Sequence, residues 1–460
     1  MAVFSIIKLS ELEEAKRIDA GYYKPEYLEL LLCLRKAGCV PIKDVAFPIR
    51  RKFKPKKGEY FDYIEISEVD LTTGEFNTSK IIGEEAPDRA QWVVNKDDIL
   101  VSTVRPIRNA VVLIKEEKEN LVCSSGFSIL HPKTIQANYL FLYFKMPFIA
   151  KLLDRHTTAT EYPAINWNDV LNTPIYVGCK EFQTRISLMV DKSFALLKQS
   201  RSLYSQAENL LLEGLGLKDF KPKYEKTYTA NLSDTLSAHR IDAEYFQPAY
   251  EEVVRKIKEY PNGFAKLFKH AENVKPDFDP TKDPDRNFSY VELADIDSSI
   301  GVIHSVNKVK GKEAPSRARR LLKKEDVIVS SVEGSLEKVA LVDKEHDACL
   351  ASTGFFQFRP LDILPEVLLV LSKTIVLQSQ LKKKCSGTIL TAVPKESLRD
   401  IIIPTLPLET QQKIALLVQQ SHEARRKAKE LLEIAKRAIE IAIEKNEEKA
   451  LYHISKTEEK

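Results

Sequence analysis

Apolar and polar residues alternate in short stretches along both halves of the chain. Tyr63-Ile64-Glu65-Ile66 and Tyr290-Val291-Glu292-Leu293 put every second side chain on one face, the period of a half-buried strand. Asp98-Ile99-Leu100-Val101-Ser102 and Asp326-Val327-Ile328-Val329-Ser330 are continuous apolar runs with polar ends, the pattern of a strand buried on both faces. Ser125-Gly126-Phe127-Ser128-Ile129-Leu130 and Thr353-Gly354-Phe355-Phe356-Gln357-Phe358 supply a further matched pair of strands, and Gly74 and Gly301 mark turns. Helical stretches are expected over 137–153 and 364–381. Each half then lengthens into a 3.5-residue period. The first seam is Ile186, Val190, Ser193, Leu197, Ser200, Tyr204, Ala207, Leu211; the second is Ile414, Val418, Ser421, Arg425, Ala428, Leu432, Ala435, Ile439. Heptad spacing is what two helices need to wind around each other, and small Ser and Ala residues let them approach closely. Pro174, Pro404 and Pro407 suit the helix entries, and Gly214 and Gly216 stop the first helix.

The two halves are copies. Arg17-Ile18-Asp19-Ala20-Gly21-Tyr22 returns as Arg240-Ile241-Asp242-Ala243-Glu244-Tyr245, and Glu85-Ala86-Pro87-Asp88-Arg89-Ala90 returns as Glu313-Ala314-Pro315-Ser316-Arg317-Ala318. The numbering offset of about 228 residues is far too long for a solenoid repeat. The expected fold is therefore α+β (mixed α/β). It has two tandem similar globular domains with pseudo-two-fold symmetry, separated by two long helices that form an antiparallel coiled coil. The expected segments are a first domain over 1–180, a first long helix over 181–216, a second domain over 217–408, a second long helix over 409–450 and a charged tail over 451–460. A short helix carrying the Arg-Ile-Asp-Ala-x-Tyr motif opens each domain.

At 460 residues the chain can bury a core in each half, and 43% apolar and 30% charged residues are ordinary for a soluble globular protein. A net charge of +4 permits nucleic-acid binding without demanding it. The cysteines, Cys33, Cys39, Cys123, Cys179, Cys349 and Cys385, lack metal spacing and do not match between repeats, which reads as reduced thiols in a cytoplasmic protein. The first residues do not read as a signal peptide, and no stretch has the length of a membrane span.

Signatures of catalysis are missing. The chain has no phosphate-binding G-x-x-x-x-G-K-[ST] loop, no G-x-G-x-x-G after a strand, no zinc spacing and no Asn-Pro-Pro-aromatic tetrapeptide. Asp277, Asp279, Asp283 and Asp285 read as a solvated Pro-rich turn. What the chain does carry is basic loops. Arg50, Arg51, Lys52 and Lys54 open one run; Lys310, Lys312, Arg317, Arg319 and Arg320 crowd another; Lys383 and Lys384 lie in a third. Such runs neutralise phosphates and make affinity salt-dependent, although a Lys-rich protein also carries solvated surface lysines. Two further loops have the chemistry of base readers. Arg105, Arg108 and Asn109 suit guanine and adenine edges, and in the second copy their segment carries Ser335 and Lys338. Arg155 and Thr158 are partnered by Lys383, Lys384 and Thr388. Scaffold residues match between the copies while loop chemistry differs.

This pattern resembles the specificity subunits of type I restriction–modification systems. The carrying features are the duplication, the Arg-Ile-Asp-Ala-x-Tyr opening of each half, and Pro407-Leu408-Glu409-Thr410-Gln411-Gln412-Lys413-Ile414-Ala415 leading into a long helix. The first copy, Cys179-Lys180-Glu181-Phe182-Gln183-Thr184-Arg185-Ile186, lacks the Pro-Leu. The resemblance implies that each domain reads one half of a split, asymmetric double-stranded DNA target. It also implies that the paired helices set the half-site spacing and dock two methylation subunits, and that motor–nuclease subunits join them. The chain would then be non-catalytic, with no cofactor of its own; S-adenosylmethionine, ATP and magnesium would belong to the partners. The alternatives are a DNA-processing enzyme with an unrecognised site, which would need nucleophilic or acidic residues matched between halves or clear in one of them, and a protein-binding adaptor, which would need apolar patches in place of basic loops.

Overall fold

The computed structural model describes residues 4–10, 12, 17–158, 162–387 and 391–458. Two compact units emerge, Met1–Leu196 with Lys427–Lys460, and Leu197–Arg426. The long helices Lys180–Gly214 and Leu408–Glu444 each contribute residues to both units.

The first unit stacks two four-stranded sheets. In one, Ala46–Pro48, Phe127–Pro132, Ile99–Ser102 and Val111–Leu113 lie side by side, all antiparallel. In the other the order is Ser79–Ile82, Tyr60–Ile64, Leu121–Ser124 and Ala90–Val93, and the central pair is parallel. The apolar run at 98–102 is buried on both faces. Ile99 and Val101 point into the main core with the helices, whereas Leu100 points into a second core shared with Ile64, Val112 and Cys123.

The second unit repeats this plan. Ala271–Asn273, Phe355–Pro360, Val327–Ser330 and Val339–Leu341 form one sheet; Asn307–Lys310, Asn287–Val291, Leu350–Ser352 and Ala318–Leu321 form the other. Val327 and Val329 face the helical core and Ile328 faces the inter-sheet core. Even the irregularity recurs: the register slips between Ala90 and Trp92 in one unit and between Ala318 and Arg320 in the other, a β-bulge in each outer strand.

Every seam residue read from the sequence is buried, and the seams do not stand apart from the domains. Ile186, Val190, Leu432, Ala435 and Ile439 belong to the core of the first unit; Tyr204, Ala207, Leu211, Ile414 and Val418 belong to that of the second. In the first unit the helices run antiparallel: Glu447 accepts from Tyr176 Oη and Cys179 N near the start of one helix, while Ser193 Oγ, further along it, donates to the carbonyl of Ala428. In the second unit Ser200 and Ser421 meet through their hydroxyls, which satisfies two buried polar groups where bulkier residues would hold the helices apart. Arg425, also in the seam, is 3% exposed and pairs with Asp297 at 2.8 Å.

Some local expectations change. The Arg-Ile-Asp-Ala-x-Tyr motif is a turn rather than a helix, because Asp19 Oδ1 accepts from Tyr22 N at 3.0 Å and Asp242 Oδ1 from Tyr245 N at 3.0 Å. The helix starts only afterwards, at Pro25 and at Pro248, each fitted to a first helical turn. The stretch 137–153 is broken into Ala137–Phe144 and Pro147–Asp154, and 364–381 into Pro365–Lys373 and Ile375–Lys384. Residues 451–458 of the segment expected as a charged tail lie in a helix, Glu447–Glu458, that buries Ala450 and Ile454.

Candidate nucleic-acid interface

The basic run at 50–57 crosses the outer face of a sheet. Phe53 anchors it: its N–H donates to the Gln91 carbonyl at 2.7 Å and its ring lies 4.7 Å from that of Phe61. Lys52 and Lys54 are exposed and have no ion pair among the described residues. Arg50 lies over the Trp167 ring at 4.9 Å. Arg51 turns inward, with Nη1 and Nη2 reaching the two oxygens of fully buried Asp98 at 2.6 and 3.3 Å. Asp98 also accepts from Asn95 N at 2.8 Å and faces His131 Nδ1 at 3.0 Å. The second unit solves the same problem with another arginine. Asp326, 1% exposed, takes Arg359 Nε and Nη2 at 2.9 and 3.0 Å and the Gln357 amide at 2.6 Å. Arg51 is thus the counter-ion of a buried carboxylate, and its side chain is occupied within the domain.

Several other expected DNA contacts are also internal. Arg155 donates Nε to the Tyr22 carbonyl at 2.7 Å and lies 3.7 Å over the Tyr22 ring, and burial lowers its pKa. Arg17 covers the same ring from 4.6 Å and donates to the carbonyls of His156 and Thr157. The second unit builds the same clamp on Tyr245 from Arg240 at 4.5 Å, Lys383 at 4.8 Å and Lys384 at 5.6 Å. These cations tie the opening motif to the C-terminal end of the second short helix, worth roughly 0.5–2 kcal/mol per cation–ring contact.

Asn109, in the left-handed region at φ 59°, donates to the Lys145 carbonyl at 3.0 Å. Lys145 Nζ in turn donates to the carbonyls of Leu71 and Asn109 at 2.5 and 3.2 Å; it is wholly enclosed, and burial pushes its pKa down to about 7. Arg320 is 5% exposed, donates to the Val274 carbonyl at 2.7 Å, and burial lowers its pKa to about 10. Ser335 bonds Ser330 Oγ at 3.1 Å, and Lys338 Nζ donates to the Ile296 carbonyl at 3.1 Å.

The remaining candidates face outward. Arg108, Thr158, Lys310, Lys312 and Arg317 are exposed; Arg105 is half-buried beside Tyr162 at 5.9 Å. Lys312 and Arg319 carry partners, Asp285 at 3.1 Å and Asp279 at 2.7 Å. Thr388 lies outside the described residues. Arg89 is exposed and occupies in the first copy the place of Arg317 in the second. The repeated Glu-Ala-Pro-x-Arg-Ala string is the sequence signal that marks both arginines. Among the described residues no group of three or more His, Cys, Asp or Glu side chains is placed to hold a metal ion, and no helix is long and apolar enough to cross a membrane.

A family profile described as the type I restriction modification DNA specificity domain matches the chain twice, over residues 38–202 and 267–434, once per repeat. The chain belongs to this family. Among curated proteins, the specificity subunit of the type I restriction enzyme HindI from Haemophilus influenzae is 24% identical over 247 residues, which cover 50% of this chain. The match spans about half of that relative, 51% of its length. Solved structures of similar chains include the HsdS subunit from Thermoanaerobacter tengcongensis, 22% identical, with a TM-score of 0.34 and coverage of 89% of this chain and 96% of that one. The S subunit of a type I restriction–modification system from M. genitalium is 12% identical, with a TM-score of 0.39 and coverage of 88% and 94%. In this specificity-family member the two profile matches begin after the opening motifs and end inside the long helices, so each takes in both sheets of its unit.

Proposed function

We propose that the chain is the DNA-recognition subunit of a type I restriction–modification complex. Each globular domain reads one half of a bipartite, asymmetric duplex target, and the paired helices set the spacing and dock two methylation subunits. Motor–nuclease subunits complete the complex, and S-adenosylmethionine, ATP and magnesium act on those partners. The functional segments are 1–180 and 217–408 for reading, 181–216 and 409–450 for spacing and docking, and 451–460 as a charged segment beyond them. The exposed members of the basic loops serve as phosphate and base contacts.

One observation carries this reading. The family profile matches both repeats, and the sheets of the two units correspond strand for strand, while the exposed loop residues differ in charge. One scaffold bearing two chemistries suits a target whose halves differ. The test is to replace residues 1–180 by the equivalent segment of another family member and sequence the methylated sites. Half of the recognition sequence should change; a change in both halves, or in neither, overturns modular reading.

A further inference from the structure

The loop that crosses the outer sheet has the same anchors in both units, with two more residues in the second, but is opposite in charge. Phe278 is the counterpart of Phe53: its N–H donates to the Arg319 carbonyl at 3.1 Å, and its ring packs on Phe288 at 5.9 Å. Both loops then pass over a glycine that tolerates no side chain. A Cβ on Gly83 would lie 2.1 Å from the Lys56 carbonyl oxygen, and one on Gly311 would lie 2.2 Å from that of Asp283. The backbone paths therefore correspond, and Lys52-Phe53-Lys54-Pro55 aligns with Asp277-Phe278-Asp279-Pro280. The neighbouring edge strand keeps one lysine in both units, Lys80 and Lys308, but otherwise changes in the opposite sense: Ile82 becomes Lys310, and Glu84, just beyond it, becomes Lys312. Each unit keeps the two elements complementary. Glu84 accepts from Gly58 N in the basic loop, and Lys312 and Arg319 pair with Asp285 and Asp279 of the acidic one.

We propose that the two domains hold the DNA backbone with different elements of this shared sheet edge: the first through the loop cations Lys52, Lys54 and Lys57, the second through Lys310 of the edge strand. Lys80 and Lys308, like Arg89 and Arg317, serve both alike. This rests on the DNA-recognition reading above and sharpens it. A phosphate set where Lys54 stands in one domain would meet Asp279 in the other. Asp279 is itself held by Arg319 at 2.7 Å, so this place offers a phosphate no cation in the second domain, where Lys310 on the edge strand supplies one.

The test is the salt dependence of binding, using the full chain and a fluorescent duplex of random sequence. Each lost phosphate contact flattens the slope of log K against log salt by about 0.9. Lys52→Ala with Lys54→Ala and Lys57→Ala should flatten it by about 2–3, and Lys310→Ala by about 0.9, whereas Ile82→Ala at the equivalent place of the first domain should not change it. Lys275→Ala with Lys282→Ala, which removes the lysines of the acidic loop itself, should leave the slope unchanged. An unchanged slope in either of the first two variants, or a flattened one in either of the other two, overturns the proposal. Failure of the wild-type chain to bind duplex at any salt would instead overturn the DNA-recognition reading. All the substituted lysines are exposed, and matching melting curves would show that the fold is kept.

Discussion

Replacing Arg51 by alanine should cost the first unit stability and leave its contribution to DNA binding small. The carboxylate it serves, Asp98, is fully buried, whereas Arg51 itself is about one-third exposed, at 34%. Removing one partner of a buried pair costs roughly 3–5 kcal/mol because the other charge is left uncompensated. Here Asp98 keeps the Asn95 N–H and the His131 ring, and water can follow the departing side chain. The expected loss is therefore about 2–3 kcal/mol, near the value of two charge-assisted hydrogen bonds after partial compensation. For a body of about 150–250 residues this lowers the melting temperature by roughly 5–10 °C. Differential scanning fluorimetry of the full chain, alongside duplex titrations, reads both quantities. Arg51→Lys should recover part of the loss by restoring one donor. A variant that melts with the wild type and binds duplex as weakly as one lacking Lys52 and Lys54 would refute this assignment and return Arg51 to the interface.

Placing a glutamate at Ala435, which is fully buried in the first core, should prevent that unit from folding stably; a melting curve that overlays the wild type would exclude the observed seam packing. Lys145→Met tests the buried lysine. Burial lowers its folded pKa to about 7, so between about pH 7 and 10 the unfolded chain binds the extra proton, and wild-type stability relative to the variant should rise with pH across that window; a flat difference would show that the ammonium is not desolvated. Removing Arg155 should loosen the turn at Tyr22 and raise proteolytic cleavage near residues 17–24 without changing the salt slope of DNA binding; a flattened slope would place Arg155 on the DNA.

The duplicated architecture was legible in the sequence because it is written in periodicities. A strand buried on both faces must read as an unbroken apolar run, as Ile99–Ser102 and Val327–Ser330 do, and a helix buried along one seam must repeat near every 3.5 residues. The roles of charged residues were not legible, because charge alone does not say which way a side chain points. Arg51 and Lys52 are adjacent and alike in charge, yet one meets a carboxylate 47 positions further on and the other meets solvent. Arg320 belongs to a basic cluster by sequence, but it lies just past the register slip of its strand and is buried against the Val274 carbonyl. The Lys-Phe-Lys-Pro and Asp-Phe-Asp-Pro loops share little sequence beyond one aromatic and one proline, and only their common passage over Gly83 and Gly311 makes them the same element. Sequence by itself thus determined the repeated scaffold, since burial imposes a spacing on apolar residues wherever they fall. Tertiary structure alone decided which cations serve the fold and which face outward, since an ion pair depends on distances between segments that the chain brings together only on folding.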